Sequence, residues 1–391
     1  MSKILIDVGS TYFKVATEDK ISHHFRNFDK DIYDDLVFKC GDEIKKCPKE
    51  DIQICSSANG GLSTLIIGLT ESFSLKYASN IAYNSGINII DTVVYSQIDT
   101  YSIPSEMLDV VIVVGAIDSV ENVYDEVLIN YLNKLNYSNI VYVGSKTQVN
   151  YLNENIENLV VLPNIIDNKL KMVEDDLKEY LTNLYQADIM GKEDIKRLYE
   201  LTSNQIYSTP YIVNKSLPLI HTKLDVADPF IVIDIGGATT DIHYSKDLVD
   251  DNIITNNEYD RLVFKKLGVY KSRESLVHTA KNNEFVYELL AHLNTTENML
   301  DETSEKSTKL LMQLSIFLVL YKISHHHKSY LNIKLDTLNS VVLTGGITKV
   351  LENEEMEDII SFFYKKLLNY DTTPTLVVDK DYAIWTLGMD K

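Results

Sequence analysis

Cysteine is scarce in this chain of 391 residues: Cys40, Cys47 and Cys55 are the whole complement. They are odd in number and form no CxxC pair, so the sequence predicts neither a disulfide framework nor a cysteine-held metal or cluster. They read as structural thiols of a reducing compartment. Basic residues are also short, 37 Lys and Arg against 57 Asp and Glu, for a net charge of −20. A phosphate-backbone binder draws its affinity from clustered Lys and Arg, so nucleic acid is excluded as a partner class. The same acidity is repelled by anionic lipid, and no basic amphipathic stretch offsets it. Long hydrophobic runs are missing too. The start, MSKILIDVGS, has no apolar core of signal-peptide length. The most apolar later stretch, Leu310 to Ile323, carries Gln313, Ser315 and Lys322 and falls short of the roughly 18 to 20 residues of a membrane span. It reads as a buried helix, and the expectation is a cytoplasmic protein with no membrane contact.

What is present is an ordinary globular composition, 45% hydrophobic and 24% charged, with no linker-like or low-complexity segment. At roughly 150 residues per domain the length predicts two or three domains. The first sixty residues read as a meander, KILIDVG, YFKVATED and ISHHFRNF, then a helix near Asp31 to Lys39 and a strand in DIQICSSA. After ANGGLSTLIIGL a helix around Ser72 to Ser85 is expected, and then βα units: DVVIVVGAID with ENVYDEVLINYLNKL, and NIVYVG with TQVNYLNEN. Leu170 to Ile220 reads as mostly helical. From Phe230 a second strand-rich portion begins, followed by helices near Arg273 to Asn294 and Glu305 to His325. The strand SVVLTGG, the helix EEMEDIISFFYKKLLN, the strand TPTLVVD and a short closing helix in YAIWTLGM complete it. The triple histidine His325 to His327 falls at a helix end, where imidazoles meet the last carbonyls, so it reads as a cap and not as a metal site.

One internal echo organises the chain. ILIDVGSTYFKVA near the start and FIVIDIGGATTDIHY in the middle share an apolar strand, an Asp, a small-residue turn and a second strand. Packing a core needs the first part only. In the first turn, Gly9 lets the backbone approach an anion, Ser10 and Thr11 add hydroxyls, and Lys14 follows on the outgoing strand. Asp7, at the strand end, is suited to hold a hydrated Mg²⁺ between itself and phosphates. The second turn repeats this with Gly236, Gly237, Ala238, Thr239 and Thr240, between Asp234 and Asp241. A third piece, SVVLTGGITKV, brings a strand to Gly345 and Gly346 before Ile347, where backbone can pass against a flat ring or a phosphate.

In this order the three pieces resemble the phosphate-1, phosphate-2 and adenosine motifs of the actin, sugar kinase and Hsp70 ATPase superfamily. Within it, IDVGSTYFK, CSSANGGL, VVLP at Val160 to Pro163, DIGGATTDIH, RLVFKKLGV and DYAIWTLGM are together similar to the glutamate mutase accessory family called MutL or GlmL. The resemblance implies an α/β, two-lobed actin-like ATPase with duplicated ribonuclease H-like lobes and an inserted α/β segment. The first lobe would span 1–228 with the insert at about 91–164, and the second 229–391.

The resemblance further implies ATP or ADP with Mg²⁺ as cofactors. It places Gly9, Ser10, Thr11, Lys14, Gly236, Gly237, Ala238, Thr239, Gly345, Gly346 and Ile347 at the nucleotide. Asp7 and Asp234 would be the metal holders, with Asp241 and Thr240 as further catalytic candidates. The function implied is a slow ATPase that reactivates an adenosylcobalamin-dependent mutase by promoting exchange of damaged cobalamin, the mutase being its protein partner. A homo-oligomer is left open. A small-molecule kinase is a second reading, with Asp241 as the base, and an actin-type filament protein a third. A cluster-bearing activator would need paired cysteines at a dimer interface, which Cys40, Cys47 and Cys55 do not suit.

Overall fold

The computed structural model of the protein describes residues 3–57, 61–83, 85, 87–121, 123–249, 258–326 and 331–389. Ala58, Asn59 and Gly60 of CSSANGGL, and His327 of the histidine run, lie outside them. The chain divides into two compact units, one of Met1–Phe28, Ile212–Asp250 and Tyr259–Lys391, the other of Asp29–Tyr211 and Asp251–Glu258.

The first unit opens with an antiparallel meander, β1 (Ile4–Val8), β2 (Tyr12–Ala16) and β3 (Ile21–Phe25). Every residue of β1 is buried, which fits its apolar run.

In the second unit a helix, Ile32–Ile44, starts on Asp31, whose side chain accepts from the N–H groups of Tyr33 and Asp34. It runs beyond the expected Lys39. Next come β4 (Ile52–Ser56), β5 (Leu62–Gly68), β6 (Ile87–Val94), β7 (Leu108–Val114), β8 (Tyr137–Val143), β9 (Leu159–Leu162) and the two-residue β10 (Tyr207–Ser208), parallel to β4. Strands β5 to β9 form a parallel sheet in the order β6-β5-β7-β8-β9. The expected βα alternation is therefore present, and its sheet begins at Leu62. Cys40 and Cys55 are buried in this unit.

The first unit resumes with β11 (Phe230–Ile235), β12 (Thr240–Ser245), β13 (Tyr259–Phe264), β14 (Ser340–Gly345) and β15 (Thr375–Val378), in the order β13-β12-β11-β14-β15. Strands β11 to β13 are antiparallel, whereas β14 and β15 run parallel to β11. Three antiparallel strands followed by two parallel ones is the order of a ribonuclease H-like lobe. The helix expected over Arg273 to Asn294 is two, Arg273–Lys281 and Glu284–His292, because Asn283 turns its side chain to cap the second. The stretch from Leu310 lies in a helix, Glu305–Ser324, buried around most of its circumference. At its end the His325 ring stacks on Tyr321, and its Nδ1 lies 3.3 Å from the Tyr321 carbonyl. Among the described residues no helix is long and apolar enough to cross a membrane.

Candidate nucleotide site

The two meanders of the first unit repeat one turn. The N–H of Gly9 donates to the Tyr12 carbonyl at 2.9 Å, and that of Gly236 to the Thr239 carbonyl at 2.9 Å. A β-carbon would stand 2.8 Å from that carbonyl oxygen at Gly9 and 3.0 Å at Gly236, so the first turn needs glycine and the second is tight for anything larger. The tips touch: the Thr11 hydroxyl fills the space a β-carbon at Gly237 would need, and Ser10 Oγ lies 3.5 Å from the same point.

The carbonyls of both turns are engaged from behind. Arg26 Nη1 donates to Gly9 at 3.2 Å and to Ser10 at 3.3 Å, and its N–H to Thr11 at 2.9 Å. In the second turn the Gly236 carbonyl accepts from Val269 N–H at 3.1 Å, and Gly237 from Tyr270 and Lys271 N–H at 2.9 and 2.7 Å. Ser272 Oγ donates to Ala238 at 2.6 Å. By contrast, the N–H groups of Ser10, Thr11, Gly237 and Ala238 make no hydrogen bond among the described residues. Carbonyls held back and N–H groups left open is the polarity of an anion nest.

Below the turns lie charges set by strand register. Asp7 faces Lys14 across β1 and β2, and Asp234 faces Asp241 across β11 and β12. Lys14 Nζ is 2.8 Å from Asp7 Oδ2, with Asp7 1% exposed. Burial opposes the Lys14 charge, but Asp7 and Asp234 outweigh it and hold the ammonium above the usual lysine value. Asp234 is pushed up to about 6, by burial first and then by Asp241, Asp7 and Asp379, with Lys14 acting the other way.

The carboxylates differ in their company. Asp241 Oδ1 accepts from Nε of the buried Arg261 at 3.0 Å and from its Nη2, and Asp241 Oδ2 accepts from Thr239 Oγ1 at 3.1 Å. Asp379 accepts from Thr344 Oγ1 at 3.0 Å and from the N–H groups of Ala383 and Ile384 at 2.8 and 3.2 Å. Burial still pushes the Asp379 carboxyl up. The side chain of Asp234, half-buried, makes no ion pair or hydrogen bond among the described residues.

The third piece comes to Asp234 through Gly345, whose φ is +91°. A β-carbon there would meet the Ile235 carbonyl oxygen at 2.5 Å and Asp234 Oδ1 at 2.6 Å. Gly346 faces the Tyr382 hydroxyl, and Ile347 is buried in the core.

The structure thus gathers Asp7, Lys14, Asp234 and Gly345, and brings Gly9, Ser10 and Thr11 against Gly236, Gly237, Ala238 and Thr239. It turns Thr240 away. The Thr240 hydroxyl is fully buried and donates to the Leu267 carbonyl at 3.0 Å, because strand alternation puts Thr239 and Asp241 on one face and Thr240 on the other. Sequence reasoning passed over Arg26, Arg261, Gly268, Asp379 and Tyr382 as site residues. Gly268 lies against the Ala238 backbone and leaves no room for a side chain.

Magnesium fits this donor set in one way. Among the described residues no three His, Cys, Asp or Glu side chains form a protein-only cage. Mg²⁺ commonly takes one or two carboxylates and completes its shell with water and phosphate. The Asp234 side chain, with no hydrogen bond or ion pair among the described residues, would suit such a shell together with Asp7.

A family model described as MutL protein matches residues 3–389. A relative named Protein MutL, from Clostridium tetanomorphum, is 24% identical over 268 residues, covering 61% of this chain and 57% of the relative. The chain therefore spans less than two thirds of that relative's length. Among solved structures, a nucleotide-free acetone carboxylase aligns with 99% of this chain and 70% of its own, at 11% identity and a TM-score of 0.39. The apo psk41 parM protein aligns over 99% and 95%, at 12% identity and a TM-score of 0.31.

Proposed function

The chain belongs to the MutL protein family, and on that premise we propose that it is an ATPase-type accessory protein of an adenosylcobalamin-dependent mutase. In this reading the glycine turns clasp the phosphates of ATP or ADP. The open N–H groups of Ser10, Thr11, Gly237 and Ala238 are the observation that carries it. Asp7 and Asp234 would hold Mg²⁺, which supplies charge neutralisation of the phosphates when bound. Lys14, kept charged by its carboxylate neighbours, would meet the terminal phosphate.

Nucleotide turnover would then drive lobe movement that loosens the mutase and lets damaged cobalamin leave. The division into lobes at 1–228 and 229–391 belongs to this proposal, as does a cytoplasmic setting.

A kinase would need a base for an acceptor hydroxyl. Asp241 is poorly suited, since Arg261 engages one of its oxygens and Thr239 the other. Calorimetry with ATP and ADP in the presence of Mg²⁺ tests the reading. Uptake in the micromolar range, lost in Asp234→Ala, is expected. Absence of any nucleotide heat in the wild-type chain defeats it. Co-purification with candidate cobalamin mutases, with and without ATP, tests the partner.

A further inference from the structure

The closing segment DYAIWTLGM lies far from the phosphate turns in sequence, yet its Tyr382 is built into their neighbourhood. Tyr382 has a φ of +51°, a left-handed conformation that a bulky residue keeps only where its surroundings hold it. Asp379 does the holding. Its carbonyl accepts from Tyr382 N–H at 3.2 Å, and its carboxylate from Ala383 and Ile384 N–H. The side chain so placed is 4% exposed.

Two ammonium groups and an imidazole are among the groups that lie close to the ring. Lys14 Nζ lies 4.9 Å from its centroid, Lys349 Nζ 5.4 Å, and the His23 ring 4.7 Å. The hydroxyl hydrogen-bonds the Thr348 side chain and lies 3.9 Å from where a β-carbon on Gly346 would stand. Lys14 therefore has the Asp7 carboxylate at 2.8 Å and the Tyr382 ring close by. A lysine is a point charge on a flexible stem, and Asp7 in contact with it and the charge of Asp234 attract it from the carboxylate side. A ring face adds a further attraction from another direction and narrows where the ammonium can sit.

We propose that Tyr382 is a positioning residue for Lys14: its ring pins the ammonium and ties β2 to the Gly345–Gly346 junction, so that the C-terminal segment sets the cation for a nucleotide's terminal phosphate. The phosphate part rests on the nucleotide reading above. The pinning part does not.

Two measurements on the full chain separate them. In the first, without nucleotide, the protein is treated with an amine-acylating ester and the Lys14 peptide is followed by mass spectrometry. Wild type and Tyr382→Phe, which keeps the ring, are expected to be protected alike. Tyr382→Leu should label at least about fivefold faster. Equal rates in wild type and Tyr382→Leu overturn the pinning.

In the second, calorimetry compares ATP and ADP. Tyr382→Leu should weaken ATP about tenfold and ADP less than about twofold, and should add no further loss in a Lys14→Met background. Additive losses, as expected from a merely structural side chain, overturn the positioning role. A wild-type chain that takes up no nucleotide defeats the nucleotide reading and the phosphate role with it, while the labelling still decides the pinning. Should Tyr382→Leu fail to fold, Tyr382→Met replaces it in both arms.

Discussion

The hydroxyl of Thr11 occupies the place where residue 237 would carry its β-carbon. Glycine at 237 is thus a condition for the two turns to meet. Its φ lies outside the left-handed region, so alanine is opposed by the Thr11 contact and not by backbone conformation. Gly237→Ala should cost about 1–3 kcal/mol of stability through overpacking, read by urea denaturation. Adding Thr11→Ala should return much of that loss, since the substitutions share one contact. Simple additivity of the two would contradict the contact.

Gly345 is constrained twice, by its φ of +91° and by the Ile235 carbonyl and Asp234 carboxylate beside it. Gly345→Ala should therefore destabilise by about 2 kcal/mol or more. The neighbouring Gly346→Ala, with only the Tyr382 hydroxyl near it, should cost under about 1 kcal/mol. Thermal melts of the two variants give the comparison.

Arg261 is a buried cation on a buried carboxylate. Arg261→Gln strands Asp241 and should cost about 3–5 kcal/mol. Arg261→Lys should fall between, because an ammonium cannot donate through two forked nitrogens. Equal stability of Arg261→Gln and wild type in guanidinium titrations would remove the pair from the account of the second turn.

His23 gives a pH dependence. Burial, Lys349 and Lys14 lower its pKa to about 4, from 6.5. Between those values the unfolded chain binds the proton and the folded chain resists it, so this group makes stability rise with pH. Relative to His23→Gln, wild type should lose roughly 1–3 kcal/mol as pH falls from about 6.5 to about 4, allowing for partial exposure, and hold steady above that window. A difference between the two proteins that does not change with pH would refute the shift.

The turns were legible because their chemistry is contiguous: an Asp, one residue, then glycine, repeated in two places, is a pattern along the chain. Residues that support them from elsewhere left no such trace. Arg261 reaches Asp241 only because β13 pairs with β12 in a register that puts Arg261 opposite His243, one pleat from Asp241. Asp379 and Tyr382 act through a loop after β15 that packs back on Thr344 and Lys14. The motifs RLVFKKLGV and DYAIWTLGM contain Arg261 and Tyr382, and the strand stretch TPTLVVD ends on Asp379, but nothing in these stretches says which side chain points where. Thr240 shows the converse: a hydroxyl beside a phosphate-type glycine turn looks functional until strand alternation assigns it to Leu267.

The two hairpins are built alike, yet the residue opposite the aspartate is a lysine in one and a second aspartate in the other. Duplication would give two interchangeable halves, and this single exchange of sign abolishes their equivalence. Anything seated between them meets a cation from one copy and an acid from the other, so head and tail are assigned before the guest arrives.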